Sequence, residues 1–121
     1  MASIHRSVQD TTTTFPVPGT ADRDVEFIFD APNLSPSTRR DDRPYLCYTA
    51  NPVSDAAVNL VIELNGSEIV NETFTSSMKR TLVEIFDRSL LVANDNELRV
   101  FVPLAGSMSV SDLIVTYTST S

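Results

Sequence analysis

Four apolar residues at every second position, Val58, Leu60, Ile62 and Leu64, run directly into the dipeptide Asn65-Gly66. A period of two places all four on one face of a pleated strand, and Asn-Gly favours a tight hairpin because both residues tolerate left-handed backbone. One side of this strand must therefore be covered by another layer. Short β-branched or aromatic runs follow at Glu68 to Phe74, Thr81 to Phe86, Glu97 to Val102 and Ser109 to Tyr117, each bounded by turn residues. Upstream, Val25, Phe27 and Phe29 alternate with Glu26, Ile28 and Asp30, and Pro44 to Ala50 sets Tyr45 and Cys47 on one face against Leu46 and Tyr48 on the other. Strands at this spacing predict an all-β antiparallel sandwich.

Three places leave a choice. Met78, Leu82, Phe86 and Leu90 are four apart, as on a helix, but Thr81 to Phe86 is β-branched and aromatic, so a strand followed by one helical turn is preferred over residues 78–93. At the hairpin, a strict two-residue turn would set Glu63 against Glu68 and leave Asn71 and Thr73 on the apolar face. A three-residue loop ending in left-handed Gly66 brings Val70 and Phe74 beside Leu60 and Ile62 and separates the carboxylates, so it is the expected register. Residues 1–23 are polar, with Thr11 to Thr14 followed by Phe15, Pro16, Val17, Pro18 and Gly19. They read as an arm ahead of a sandwich domain at 24–121; Phe15 and Val17 with the Thr tract form either a first edge strand or a loose tail.

At 121 residues the chain is long enough for one domain with its own core and needs no staples. Sixteen acidic against nine basic residues give a net charge of −7, a field that repels phosphate, which argues against nucleic acid and anionic membranes as partners. Arg39, Arg40 and Arg43 form a local exception, diluted by Asp41 and Asp42 between them. No stretch of residues 1–23 has the apolar run of a signal peptide and no segment approaches the ~20 residues of a membrane span, so synthesis in the cytosol is expected. Asn33-Leu-Ser35, Asn65-Gly-Ser67 and Asn71-Glu-Thr73 match the glycosylation sequon, which carries little weight in that setting.

The C-terminal half carries a resemblance. Leu64-Asn65-Gly66 closes a strand, followed by Val83 to Asp87, Leu90-Leu91 at a turn, Asn96 to Val100, and Gly106-Ser107 leading into Val110 to Tyr117. This order, over roughly residues 58–117, resembles the jelly-roll sandwiches of the galactose-binding-like group, which includes carbohydrate-binding modules. The resemblance implies a jelly-roll fold and a glycan partner, and it admits a structural calcium.

Catalytic machinery is sparse. His5 is the sole imidazole and lies in the polar arm, where it reads as a solvated side chain; Cys47, the sole thiol, reads as a buried inert one; together they cannot build a zinc site. Asp41/Asp42 and Asp95/Glu97 read as solvated loop charges rather than an acid and base. Only three glycines, widely separated, rule out a phosphate cradle. Asp22, Asp24 and Asp112 with loop oxygens are the nominal calcium ligands, without an EF-hand rhythm.

Two functions remain, neither enzymatic. The first is a lectin-like module using the longest loop, Ala31 to Arg43. Arg39, Arg40 and Asp42 would meet sugar hydroxyls there while Tyr45 or Tyr48 offers a ring, the chain having no Trp. The second is a subunit of a homo-oligomeric particle whose Thr-rich arm pairs with neighbours. Self-association is expected in both.

Overall fold

The computed structural model describes residues 2–16, 22–53, 56–103 and 106–120; Val17 of the expected first strand lies outside them. Among the described residues, eight strands form two antiparallel sheets. The first sheet runs β1 (Ala2–Phe15), β8 (Met108–Ser119), β3 (Tyr45–Pro52), β6 (Arg80–Ile85); the second runs β2 (Asp24–Phe29), β7 (Asn96–Phe101), β4 (Val58–Leu64), β5 (Ser67–Phe74). Strands from the two ends of the chain thus lie side by side, the strand order of a two-Greek-key jelly roll.

Alternation fills the space between the sheets as expected. Leu60, Ile62 and Leu64 of β4, Leu98 and Val100 of β7, and Leu113, Val115 and Tyr117 of β8 are all buried and meet Leu46 and Tyr48 of β3 in one core. Arg80 to Ile85 is a strand and Arg88–Leu90 a single 3-10 turn capped by Asp87, whose carboxylate accepts from Ser89 N, so the helical alternative for residues 78–93 is not adopted.

The hairpin between β4 and β5 departs from expectation in an informative way. Leu64 pairs with Ser67 and Glu63 with Glu68, so the turn is the strict two-residue one, with Asn65 and Gly66 at φ values of 51° and 86°. The parity changes one step later, between Ile62/Val70 and Glu63/Glu68, where Ile69 is the extra residue of a bulge. Val70 and Phe74 are buried beside Ile62 and Leu60, as the three-residue loop was meant to achieve, but the two carboxylates face each other. Burying two large side chains outweighs one like-charge pair, in which Glu63 is moreover bonded to Arg99.

Residues 2–15 form the edge strand rather than a loose arm. β1 pairs with β8 from Ala2/Ser119 to Phe15/Met108, with irregularities around Gln9, and Phe15 is fully buried. His5 is fixed there, sharing a 2.7 Å hydrogen bond through Nδ1 with Thr116 Oγ1. Cys47 is half-buried on the outer face of the first sheet, not in the core, because its odd position points it away from Leu46 and Tyr48.

Candidate functional site

The long loop divides into two halves. Its first half is sewn to the end of β8: Ser35 N donates to Thr118 O at 2.9 Å, Thr120 N to Asn33 O at 2.8 Å, and Tyr117 Oη to Pro32 O at 2.8 Å. Arg88 Nε closes the other side onto Ser35 O at 2.6 Å. The second half projects as a 3-10 turn at Arg40–Asp42, with Arg39 and Arg40 exposed. Asp42 serves the turn itself, since Ser37 Oγ donates to its Oδ2 at 2.7 Å and Asp42 N donates to Arg39 O at 3.0 Å.

The two tyrosines do not share a site with one another. Tyr45 is half-buried on the outer face of β3, whereas Tyr48 points inward and is 2 % exposed. Burial pushes the Tyr48 hydroxyl up to about 12, and a ring enclosed by core side chains has no face for a sugar. Tyr48 is therefore removed from the candidate set; the period-two alternation of Pro44 to Ala50 had already put it on the Leu46 side. Arg39, Arg40 and Asp42 stay together at the loop tip ahead of Tyr45.

A second surface emerges from pairing that sequence alone does not display. At the other end of β2, a shallow open depression of about 370 Å³ is lined by Asp22, Arg23, Asp24, Arg99, Phe101 and Pro103. β2 and β7 bring these together, because Asp24 lies opposite Phe101 and Glu26 opposite Arg99. Arg99 is the hub. Its Nε and Nη2 reach Asp24 Oδ2 at 3.1 and 2.9 Å, its Nη1 reaches Glu63 Oε1 at 3.3 Å, and its guanidinium lies 4.3 Å from the Phe101 ring centroid. These contacts, the bond to Asp24 foremost, raise the Arg99 pKa further above its usual value. Arg23 holds the rim, donating from Nε to Val102 O at 2.7 Å and from Nη2 to Gly106 O at 2.6 Å. Gly106 sits at φ +114°, and a Cβ there would lie 3.2 Å from Val58, so glycine is needed for this loop to close on β4.

Because Arg99 turns to Asp24 and Glu63, its cross-strand neighbour Glu26 is left to Glu97. The hydrogen bond to Glu97 and that carboxylate's charge hold the Glu26 carboxyl above the usual carboxylate range. The pair is fully exposed on an open sheet face, without the enclosure that directs a proton in general acid catalysis. Of the nominal pairs in the sequence, Glu97 takes up Glu26 rather than Asp95; Asp95 N instead donates to Asp30 Oδ1 at 2.8 Å.

The nominal calcium ligands do not converge. Asp24 is engaged by Arg99, Asp22 lies beside it at the depression, and Asp112 is an exposed residue at φ 55° in β8 of the opposite sheet. Among the described residues no three His, Cys, Asp or Glu side chains are grouped to hold a metal ion.

No protein-family model and no curated protein matches the sequence. Solved structures do match. The chain superposes on the CBM36-1 domain of a multidomain xylanase from the hindgut metagenome of Trinervitermes trinervoides with a TM-score of 0.58 at 7 % identity, covering 99 % of this chain and 100 % of that one. CBM35 from Cellvibrio japonicus Abf62 gives a TM-score of 0.56 at 13 % identity, over 98 % and 95 % of the two chains. Dimeric latent PorU from Porphyromonas gingivalis gives 0.63 at 13 % identity over 94 % of this chain, which spans only 12 % of that protein. At such identities the likeness is one of fold. The chain thus carries, along nearly its whole length, the jelly-roll β-sandwich of carbohydrate-binding modules.

Proposed function

We propose that the protein is a non-catalytic carbohydrate-binding module whose sugar site is the depression between the start of β2 and the end of β7. The observation that carries this reading is the meeting of an aromatic ring, a carboxylate and a guanidinium in one open concavity, Phe101, Asp24 and Arg99, on a fold shared with named carbohydrate-binding modules. The Arg99 guanidinium covers one face of the half-buried Phe101 ring, so a pyranose would pack its C–H face on the part of the ring left exposed while its hydroxyls take paired hydrogen bonds from the fixed charged groups. Arg99 and Asp24 are already locked together, so little side-chain freedom is lost on binding. A cavity of about 370 Å³ lies at the low end of the ~300–1,000 Å³ typical of ligand sites, which suits one or two sugar residues.

Charge selects among sugars. Asp22 and Asp24 offset Arg23 and Arg99 in the depression, and Glu26, Glu63 and Glu97 crowd the sheet beside it. Neutral glycans are therefore favoured over uronic acids. The loop tip with Arg39, Arg40, Asp42 and Tyr45 is a second contact for a longer glycan; it lies at the opposite end of β2, so the two surfaces separate by mutation. An assembly-subunit role is the weaker reading, because the Thr-rich segment that would reach a neighbour is already paired along β8.

A glycan array followed by calorimetry tests this. Neutral oligosaccharides are expected to bind, Phe101→Ala and Asp24→Asn to weaken them at least tenfold, and the Arg39→Ala/Arg40→Ala double variant to matter only for longer chains, a tenfold change being about 1.4 kcal/mol. A flat response across neutral and acidic sugars, with calcium added or chelated, removes the proposal.

A further inference from the structure

The open edge of the first sheet points to a second copy of this chain. We propose that β6 pairs antiparallel with β6 of another copy across a two-fold axis at Leu82, joining two first sheets into one of eight strands. This rests on the strand geometry and charge of β6 and is independent of the glycan reading.

The hydrogen-bond parity of β6 comes first. Phe86 N donates to Pro44 O at 3.1 Å, and the register Tyr45/Ile85, Leu46/Glu84, Cys47/Val83, Tyr48/Leu82 continues from it. In an antiparallel pair, alternate residues bond to the partner strand. Glu84, Leu82 and Arg80 therefore spend their backbone groups on β3, while Thr81, Val83 and Ile85 direct theirs outward. Thr49 Oγ1 and Thr81 Oγ1, 3.1 Å apart, fit a non-hydrogen-bonded pair, where side chains approach most closely. β6 lies at the sheet edge, and all of its residues except Leu82 are exposed.

The four edge strands are not equivalent. β1 is irregular around Gln9, which breaks a flat ladder. β2 presents Asp24 and Glu26, and β5 presents Glu68 and Glu72, so a copy of either would face like charge. β6 alone is regular, charge-balanced and faced with exposed β-branched residues, Val83 at 58 % and Ile85 at 55 %.

Register follows from charge. With Leu82 on the axis, Thr81 bonds to Val83 of the second copy, and Arg80 comes opposite Glu84 of that copy twice, once on each side of the axis. These are non-hydrogen-bonded positions, the closest cross-strand pairs. Moving the axis to Glu84 would set like charges together, and moving it to Val83 would place Arg80 against Phe86. On the outer face, Val83 and Ile85 adjoin Tyr45, Cys47 and Ile114 through the pairings of β3 and β8, and at the seam Val83 stands across from Thr81 of the second copy.

Sedimentation velocity over a range of concentrations, with thermal melts as a folding check, tests the pairing. The wild type is expected to dimerise. Glu84→Arg and Arg80→Glu should each raise the dimer dissociation constant roughly tenfold, and the double exchange Arg80→Glu/Glu84→Arg should restore it. Val83→Pro removes an outward N–H without removing a bond to β3, so it should abolish the dimer while the melt stays cooperative. A wild type that remains monomeric at every concentration overturns the proposal, and so does a dimer indifferent to the charge reversals and to Val83→Pro.

Discussion

Asn96, at the start of β7, has no exposed surface, yet its carboxamide is saturated. Oδ1 accepts from Val92 N at 2.9 Å and Asn65 Nδ2 at 3.0 Å, while Nδ2 donates to Val92 O at 2.7 Å and Phe29 O at 3.2 Å. Truncation strands the Val92 backbone in the loop before β7 and the buried Phe29 carbonyl at the end of β2, so Asn96→Ala should lower stability by about 3 kcal/mol, read as a fall in urea midpoint with an unchanged slope. Glu26 makes the opposite case. Its folded pKa lies above the ordinary 4.5, so what its protonated form contributes is complete below that value and is lost as pH rises through the raised one. Glu26→Gln should therefore melt higher than the wild type at neutral pH, with the gap closing below pH 4.5; a constant gap across pH would remove the Glu97 contact as its cause. Asn96 and Arg99 both sat in a legible strand, and Leu98 and Val100 turning inward already sent Arg99 outward. What Arg99 would meet was not legible, because Asp24 lies 75 residues away in sequence.

Single strands were the most readable level, since a period of two needs no knowledge of partners. Leu60→Ala or Ile62→Ala, both fully buried, should each lower stability by roughly 2–5 kcal/mol, whereas Arg39→Ala at the exposed loop tip should stay within about 0.5 kcal/mol. Reversal of that order in denaturant melts would contradict the assignment of inner and outer faces. The hairpin shows where periodicity stops informing. Both the two-residue turn and the burial of Val70 were written in the sequence, and they conflict in parity unless one residue is inserted. The bulge at Ile69 reconciles them, but nothing in local composition says whether an extra residue enters the turn or the strand behind it. At the turn itself, Gly66 at φ 86° has open space around its Cα, so Gly66→Ala should cost about 1 kcal/mol through backbone strain alone.

At the scale of the molecule, the order of strands within each sheet was beyond sequence reading, because jelly-roll neighbours are seldom consecutive and their pairing is decided by which cores fit. The same blindness left residues 2–15 open between an edge strand and a loose tail: a polar Thr run looks dispensable until β8 is seen to need a partner on that side. Shortening the chain to begin at Asp22 should therefore not yield a tidy monomer. It removes the fully buried Phe15 and bares the edge of β8, and the expected result is loss of a cooperative melt together with aggregation, checked by calorimetry and light scattering. A shortened chain that melts as the intact one does would return residues 2–15 to the status of an appendage.

Ala2 stands across from Ser119 in the ladder, while Phe15 and Met108 close its far end near Arg23 and Gly106. Entry and exit of the polypeptide thus share one pole, and the Phe101 depression occupies the other. A fluorophore, bead or fusion partner tethered at either extremity would hang clear of that depression, and a short bridge from Ser119 to Ala2 should allow the ring so formed to be reopened within residues 75–79 without unseating the core.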